Sequence, residues 1–239
     1  MSGLIFIISA PSGSGKSTLV SELRKVVAGL EFSISYTTRK PRGSEQNGRE
    51  YYFVSREEFE RMLRRDEFLE HAEVFGNYYG TARRFLEDAR RRGQDLLLDI
   101  DVQGAGQIKK RLPEAVSIFV LPPSRAELER RLHRRSEADA HAGHPVTEET
   151  IQRRLHTATK EIEKYPDYDY ILVNDRLEQS IDELKAIVLS ERLTRAGKSL
   201  TPAEAKLVSL AESCRQQNMQ PRLQPILESF GLAPAPRAD

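Results

Sequence analysis

Three observations predict an α/β fold built on a parallel sheet. Strand-length apolar runs recur at Leu4–Ile8, Leu96–Asp101, Val116–Leu121 and Tyr170–Val173. They read as buried core strands, and strands covered on both faces lose the in–out alternation. Segments with helical apolar spacing fall between them, which implies parallel pairing and right-handed crossovers. The first run enters the glycine-rich loop Ser9-Ala10-Pro11-Ser12-Gly13-Ser14-Gly15-Lys16-Ser17-Thr18. It leaves that loop in a segment with Leu19, Leu23, Val26, Val27 and Leu30 at helical spacing.

Strand, glycine-rich turn and helix is the setting in which such a loop binds phosphate. Gly13 and Gly15 let the backbone curl so that successive N–H groups point into one concavity. The positive end of the following helix adds to that field. Lys16 can reach terminal phosphates, and the Ser17 hydroxyl suits Mg²⁺. Ala10 stands where the general pattern has its first glycine.

Bulk properties narrow the classes. The chain has 239 residues, 38% hydrophobic and 31% charged, with a formal net charge of +1. That balance gives no global field for nucleic acid or an acidic membrane. The single cysteine, Cys214, excludes an intrachain disulfide framework and a cysteine zinc cluster. No apolar run has transmembrane length, and no leader precedes the first strand, so a cytoplasmic protein is expected. No internal repeat is visible, and the one low-complexity tract is the Ala/Pro-rich end, Ala233–Asp239.

Taken in order, Phe32–Tyr36 is β-like and is followed by Thr37–Gly43, rich in Pro, Gly and charge. Tyr51–Val54 is a short strand. Ser55 with Glu58 forms a capping box for a helix carrying Phe59, Met62 and Leu63 inward. Phe68–Val74 is extended and turns at Gly76-Asn77 into Tyr78–Thr81. Residues 32–81 therefore form a strand-rich insert in a core of 1–31 and 82–193. Phe85–Arg92 is a basic helix ended by Gly93, and Gln107–Leu112 a short helix stopped by Pro113. Ser124 with Glu127 opens a helix through His133. Ser136–Val146 reads as a mobile loop within a lid of about 133–155, and a helix from about Glu148 to Lys164 follows. Leu177–Arg192 is the last core helix. Residues 194–239 form a helical appendix opening on the capping box Thr201-Pro202-Ala203-Glu204.

Several residue sets could carry chemistry. Asp99 and Asp101 finish one strand on a shared face, where α/β sheets bind ligands. They could position Mg²⁺ through water, accept protons from a base edge, or merely cap a helix. Arg39 and Arg42, with Tyr51 and Tyr79, suit a second phosphate, or form a basic surface turn. Glu70, in the apolar stretch Phe68–Ala72, could accept the paired N–H groups of guanine, or be a salt-bridged surface glutamate. Arg131, Arg134, Arg135, Arg153 and Arg154 flank the lid and could neutralise a phosphoryl-transfer transition state, or line a solvated helix face. His141 and His144 lack the further ligands a metal site needs.

With these stretches in view, the chain resembles the bacterial guanylate kinases. The resemblance rests on Ser9–Ser17, on Thr37–Val54, on Gly76–Gly80, on Leu98–Gly104 and on Val173-Asn174-Asp175, and runs from about Leu4 to Leu193. It implies a P-loop nucleoside monophosphate kinase fold: a parallel sheet core with helices on both faces, a GMP-binding insert and a mobile lid. It implies transfer of the γ-phosphoryl group of ATP to GMP, and to dGMP, giving ADP and GDP in purine nucleotide metabolism. Ala10, Pro11, Ser12, Gly13, Ser14, Gly15, Lys16, Ser17 and Thr18 would bind ATP, with Asn174 near its adenine. Mg²⁺ would sit near Ser17, with Asp99 or Asp101 reaching it through water. Arg39, Arg42, Tyr51 and Tyr79 would grip the GMP phosphate. Ser35, Glu70, Thr81 and Asp101 would face guanine, with Asp99 close by. Lys16, Arg42, Arg135 and Arg154 would be catalytic. The implied partners are ATP and GMP, with no nucleic acid and no membrane.

Two departures stand out. Arg134-Arg135-Ser136 replaces the family's common Gly-Arg-Gly, and the lid is longer than usual. Two rival readings are a P-loop phosphotransferase with another acceptor and a catalytically inactive interaction module. The pairing of Ser35 with Glu70 weighs against the first. The presence of Lys16, Ser17, Arg135 and Arg154 weighs against the second.

Overall fold

The computed structural model describes residues 3–43, 45–141 and 147–233, with backbone alone over 138–141. In chain order the elements are β1 (Ile5–Ser9), α1 (Lys16–Val26), β2 (Leu30–Phe32), β3 (Tyr36–Thr37), β4 (Tyr52–Phe53), α2 (Arg56–Arg64), β5 (Phe68–Val74), β6 (Asn77–Ala82) and α3 (Arg83–Arg92). They continue as β7 (Asp95–Asp99), α4 (Val102–Arg111), β8 (Val116–Leu121), α5 (Arg125–His141), α6 (Glu148–Ile162), β9 (Tyr170–Val173), α7 (Leu177–Ala196), α8 (Pro202–Ser213) and α9 (Gln220–Ser229). The chain divides into two compact units, residues 1–9 with 28–117 and residues 10–27 with 118–239.

The first unit holds two sheets. In one, β7 lies between β2 and β1, all parallel. β1 is buried throughout and β7 at all but its last residue, which is why both read as continuous apolar runs. In the other the order is β4-β3-β6-β5. β5 and β6 form a hairpin in which Val74 pairs with Asn77. Phe75 and Gly76 both have positive φ there, the backbone a tight two-residue hairpin turn requires. Under this sheet Phe59, Met62 and Phe68 form a buried cluster, with Phe59 stacked on Phe68 at 4.4 Å. The Ser55 cap of α2 is present, its hydroxyl accepting the Glu58 N–H. The β signal over Phe32–Tyr36 divides, and Leu30, expected on the first helix, is strand instead: α1 ends at Val26, Leu30–Phe32 joins the parallel sheet beside β7, and the second sheet begins at Tyr36. Pairing partners distant in sequence decide that division.

The second unit holds α1, the parallel pair β8–β9 and helices α5 to α9. Here two expectations are corrected. The helix expected to stop at His133 runs to His141. Ser136–His141, expected as loop, is helical because Glu137, Ala138 and Ala140 favour helix and nothing breaks it. The His141 side chain and residues 142–146, with His144, lie outside the described residues, as does the chain end 234–239.

The second correction concerns the segment after residue 193. It is not an appendix: it belongs to this unit's core. Residues up to Ala196 extend α7, and α8, entered through the Thr201–Glu204 capping box, packs along α7. Ile171 N–H then donates to Cys214 O at 2.8 Å, and Gln216 N–H to Asp169 O at 3.0 Å. The pair makes an antiparallel bridge between Tyr170 and Arg215 and covers an edge of β9 that would otherwise stay unpaired. Arg215 lies 4.2 Å over the Tyr170 ring and pairs with Glu191, which also accepts the Tyr170 hydroxyl. Leu223, Ile226, Leu227 and Phe230 are buried, and Ser229 Oγ accepts the Arg125 N–H at the start of α5. No helix among the described residues is long and apolar enough to cross a membrane.

Candidate active site

The candidate residues collect into two constellations, one in each unit. In the second unit, Pro11 O accepts the Ser14 N–H at 3.1 Å, and Gly13 and Gly15 take φ of +94° and +89°. Those angles belong to glycine. Close approach adds a second reason: a β-carbon on Gly15 would collide with the Asn174 amide, and one on Gly13 would lie 2.9 Å from Leu128. Gly15 is also the N-cap of α1, and no side chain caps this helix end among the described residues. A helix beginning without a side-chain cap presents its first N–H groups to an anion. Lys16 and Ser17 open the helix, and Ser17 and Thr18 are exposed. Ser14 Oγ is buried with no hydrogen-bond partner among the described residues.

A polar network sets the shape of this loop. Asn174, at the end of β9 and 7% exposed, donates from Nδ2 to Ser14 O at 2.7 Å. Arg131 on α5 donates to the same carbonyl at 3.3 Å and to Asn174 O at 2.9 Å. Glu127 holds Arg131 through a 2.7 Å bond to Nε. Glu127 also accepts a bidentate pair from Arg130, and these two arginines, against the opposing effect of burial, bring its carboxyl down to about 2. Sequence reading grouped Arg131 with the lid arginines; its spacing of four from Glu127 is the signal that it is engaged by a carboxylate on its own helix. Arg135 is exposed on α5 and Arg154 half-buried on α6, two helices that pack together.

In the first unit, Glu70 is 3% exposed on β5 and lies directly across from Thr81 on β6. Thr81 Oγ1 is 3.3 Å from Ser35 Oγ. Serine, threonine and glutamate thus gather in one buried polar patch, and the surface reading of Glu70 is excluded. The Glu70 carboxylate also sits against the α-carbon of Gly104: a β-carbon there would lie 3.0 Å from Glu70 Cδ and closer still to Oε2. Gly104, which sequence reading quoted only as part of a motif, therefore makes room for this carboxylate.

Asp99 and Asp101 do not end one strand together. β7 stops at Asp99, and Asp101 is the extended N-cap of α4, its Oδ1 accepting the Gly104 N–H at 2.8 Å. Aspartate followed by a helix start favours that cap.

Arg39, Tyr51 and Tyr79 lie together, and a carboxylate joins them. Arg39 lies 5.3 Å over the Tyr51 ring, and Tyr51 meets Tyr79 edge-on at 5.9 Å. Arg39 Nη1 and Nη2 bond both oxygens of Glu45, at 2.9 and 3.0 Å. Against the effect of burial, Glu45 and Tyr79 raise the Arg39 pKa, and Arg39 with the Arg42 N–H lowers that of Glu45. Glu45 was not among the expected residues. Arg42 is half-buried beside it in sequence, and its N–H donates to Glu45 Oε2 at 2.7 Å.

Comparison with known proteins bears on both constellations. The guanylate kinase family model matches residues 3–191. A guanylate kinase of Koribacter versatilis is 60% identical over 237 residues, covering 99% of this chain and 100% of the relative. One from Escherichia coli K12 is 47% identical over 193 residues, covering 80% and 89%. The crystal structure of guanylate kinase from Anaplasma phagocytophilum superposes with a TM-score of 0.65 at 38% identity, covering 80% of this chain and 86% of that one.

Proposed function

This chain belongs to the guanylate kinase family, and from that premise we propose that it transfers the γ-phosphoryl group of ATP to GMP, and to dGMP, yielding ADP and GDP. The observation that carries the choice of acceptor is Glu70. It places a buried carboxylate beside the Ser35 and Thr81 hydroxyls, and guanine alone among the common bases offers such a group two parallel N–H donors on one edge. Ser35 and Thr81 add hydroxyls to the same patch. Arg39, Arg42, Tyr51 and Tyr79 suit the phosphate of the same nucleotide, since guanidinium forks bind phosphate bidentately.

The second unit supplies the donor site. Loop amides and Lys16 hold ATP phosphates, and the carbonyl of Ser14, fixed by Asn174 and Arg131, keeps the loop in its curled form. Mg²⁺ suits the exposed Ser17 hydroxyl at the start of α1, where it would neutralise phosphate charge. Ser17, exposed at the start of α1, is the residue assigned to the ion. The attacking group is an oxygen of the GMP phosphate, already anionic near neutral pH, so no general base is required. Rate enhancement then comes from in-line positioning and from charge neutralisation by Lys16, Arg42, Arg135 and Arg154. In this reading residues 1–193 carry the kinase machinery and 194–239 are a C-terminal extension, whose residues 194–233 pack into the core of the second unit, and the enzyme works in the cytoplasm in purine nucleotide metabolism.

A coupled ADP-release assay across GMP, dGMP, AMP, CMP and UMP tests the proposal. ADP release that depends on GMP and dGMP is expected. Equal rates with AMP, or release unaffected by any monophosphate, would refute it.

A further inference from the structure

We infer that Arg222, on α9 of the C-terminal extension, is a positioning residue for the donor nucleotide: it fixes the peptide unit that carries Asn174. The inference rests on the reading of the loop Ala10–Thr18 as the ATP site.

The contacts lie wholly within the second unit. Asn174 Nδ2 and Arg131 both donate to Ser14 O, the carbonyl that sets the curl of the loop. The loop is therefore only as well placed as Asn174. The peptide group joining Val173 to Asn174 is planar, so a hold on its N–H and on its C=O fixes where Asn174 begins. Leu121 O, at the end of β8, takes the N–H at 2.8 Å. Arg222 Nη2 reaches the other side of the group, Val173 O, at 3.4 Å. Asp175 N–H and Ser180 Oγ also donate to that oxygen, at 3.0 and 3.3 Å. Those two come from the chain just past Asn174 and move with it, whereas Arg222 grips it from a separate helix.

Arg222 is itself held. Its other arm, Nη1, donates to Glu183 Oε1 at 3.1 Å. Glu183 lies on α7 with its side chain 4% exposed, and Gln179 Nε2 shares the same oxygen at 2.9 Å. A carboxylate so buried is costly to leave unpaired, which keeps the guanidinium in place. The two Nη groups of a planar guanidinium serve the two acceptors at once; a lysine ammonium has no such fork. A second contact fixes α9. Ser229 Oγ, two turns on from Arg222, accepts the Arg125 N–H at the start of α5, the helix that carries Arg131. α9 thus backs both side chains that grip Ser14 O.

A merely structural Arg222 would do no more than neutralise Glu183. The two roles part in a variant without either charge. E183Q/R222M has no buried carboxylate to pair and no grip on Val173 O.

The test compares E183Q/R222M, R222K and the wild type in steady-state kinetics, with ATP binding measured by calorimetry and folding by thermal melts. Positioning predicts that KM and Kd for ATP rise about threefold to tenfold in E183Q/R222M, the scale of one lost hydrogen bond. KM for GMP should stay at its wild-type value. R222K keeps a charge for Glu183 without the fork, so it should melt near the wild type and shift ATP in the same direction. Wild-type affinity for ATP in a stably folded E183Q/R222M protein overturns the inference. So does an equal rise for ATP and GMP, which marks general loosening. Should the double variant not fold, wild-type ATP affinity in R222K overturns it. Failure of the underlying reading is separate, because the wild-type chain would then bind no ATP.

Discussion

Alanine at Gly104 displaces Glu70 without altering it. Gly104 lies in the first turn of α4, and a β-carbon there would meet Glu70 Oε2 well inside the 3.0 Å that real β-carbons respect, with Glu70 Cδ at 3.0 Å and Asp101 Oδ1 at 3.5 Å. To regain van der Waals separation the carboxylate must retreat by about 1 Å. It is 3% exposed, in a close-packed interior that offers little room. Misplacement on that scale costs up to about 10²-fold when it disturbs a reacting or recognising group. G104A should therefore raise KM for GMP by about tenfold to a hundredfold. KM for ATP should hold, since the loop Ala10–Thr18 is in the other unit. Helix propensity works in the opposite direction, because alanine is favoured over glycine by up to about 1 kcal/mol. Loss of GMP binding is thus expected without a matching loss of melting temperature. Steady-state kinetics with each substrate varied, beside a thermal melt, separates the two. Unchanged KM for GMP in a stably folded G104A protein would refute the placement of Glu70 at the base.

Further outcomes follow from other contacts. G15A strains a residue at φ +89° and drives a β-carbon into the Asn174 amide; ATP turnover should fall by at least about 10²-fold, and retention of ATP affinity would show that the loop does not bind as described. L227A, at a fully buried position on α9, should cost about 2–5 kcal/mol and lower the melting temperature of the whole second unit; a small separate transition for residues 197–233, with the main melt unmoved, would show that the segment folds apart. The Glu127 carboxyl is depressed from its unfolded value of 4.5 to about 2. Its contribution is therefore complete above about pH 4.5 and is lost as pH falls from there towards about 2. Acid titration of stability in E127Q should lack that part, a difference of about 1 kcal/mol or less for a partly exposed pair. Superimposable wild-type and variant curves would refute it.

What sequence alone determined here is local. Ser55 with Glu58 and Thr201 with Glu204 announced their helix starts because a cap needs only residues three apart. Gly13 and Gly15 announced the loop because only glycine takes its φ readily, and β8 and β9 were legible from largely apolar runs of six and four residues. Arg39 and Tyr51, whose side chains meet, lie within one short stretch, so their proximity was legible for the same reason.

Tertiary structure decided what depends on distant partners. Glu70 could be surface or interior until β6 was laid across β5 and α4 against it. Asp101 exchanged a strand end for a helix cap, because β7 stopped two residues sooner than its apolar run suggested. The Ser14 carbonyl gathers Asn174 and Arg131 from 160 and 117 residues away. Cys214 and Gln216 reach the edge of β9 across a helix hairpin. No periodicity encodes such contacts, since each draws its free energy from satisfying a buried polar group whose partner the chain brings up only by folding.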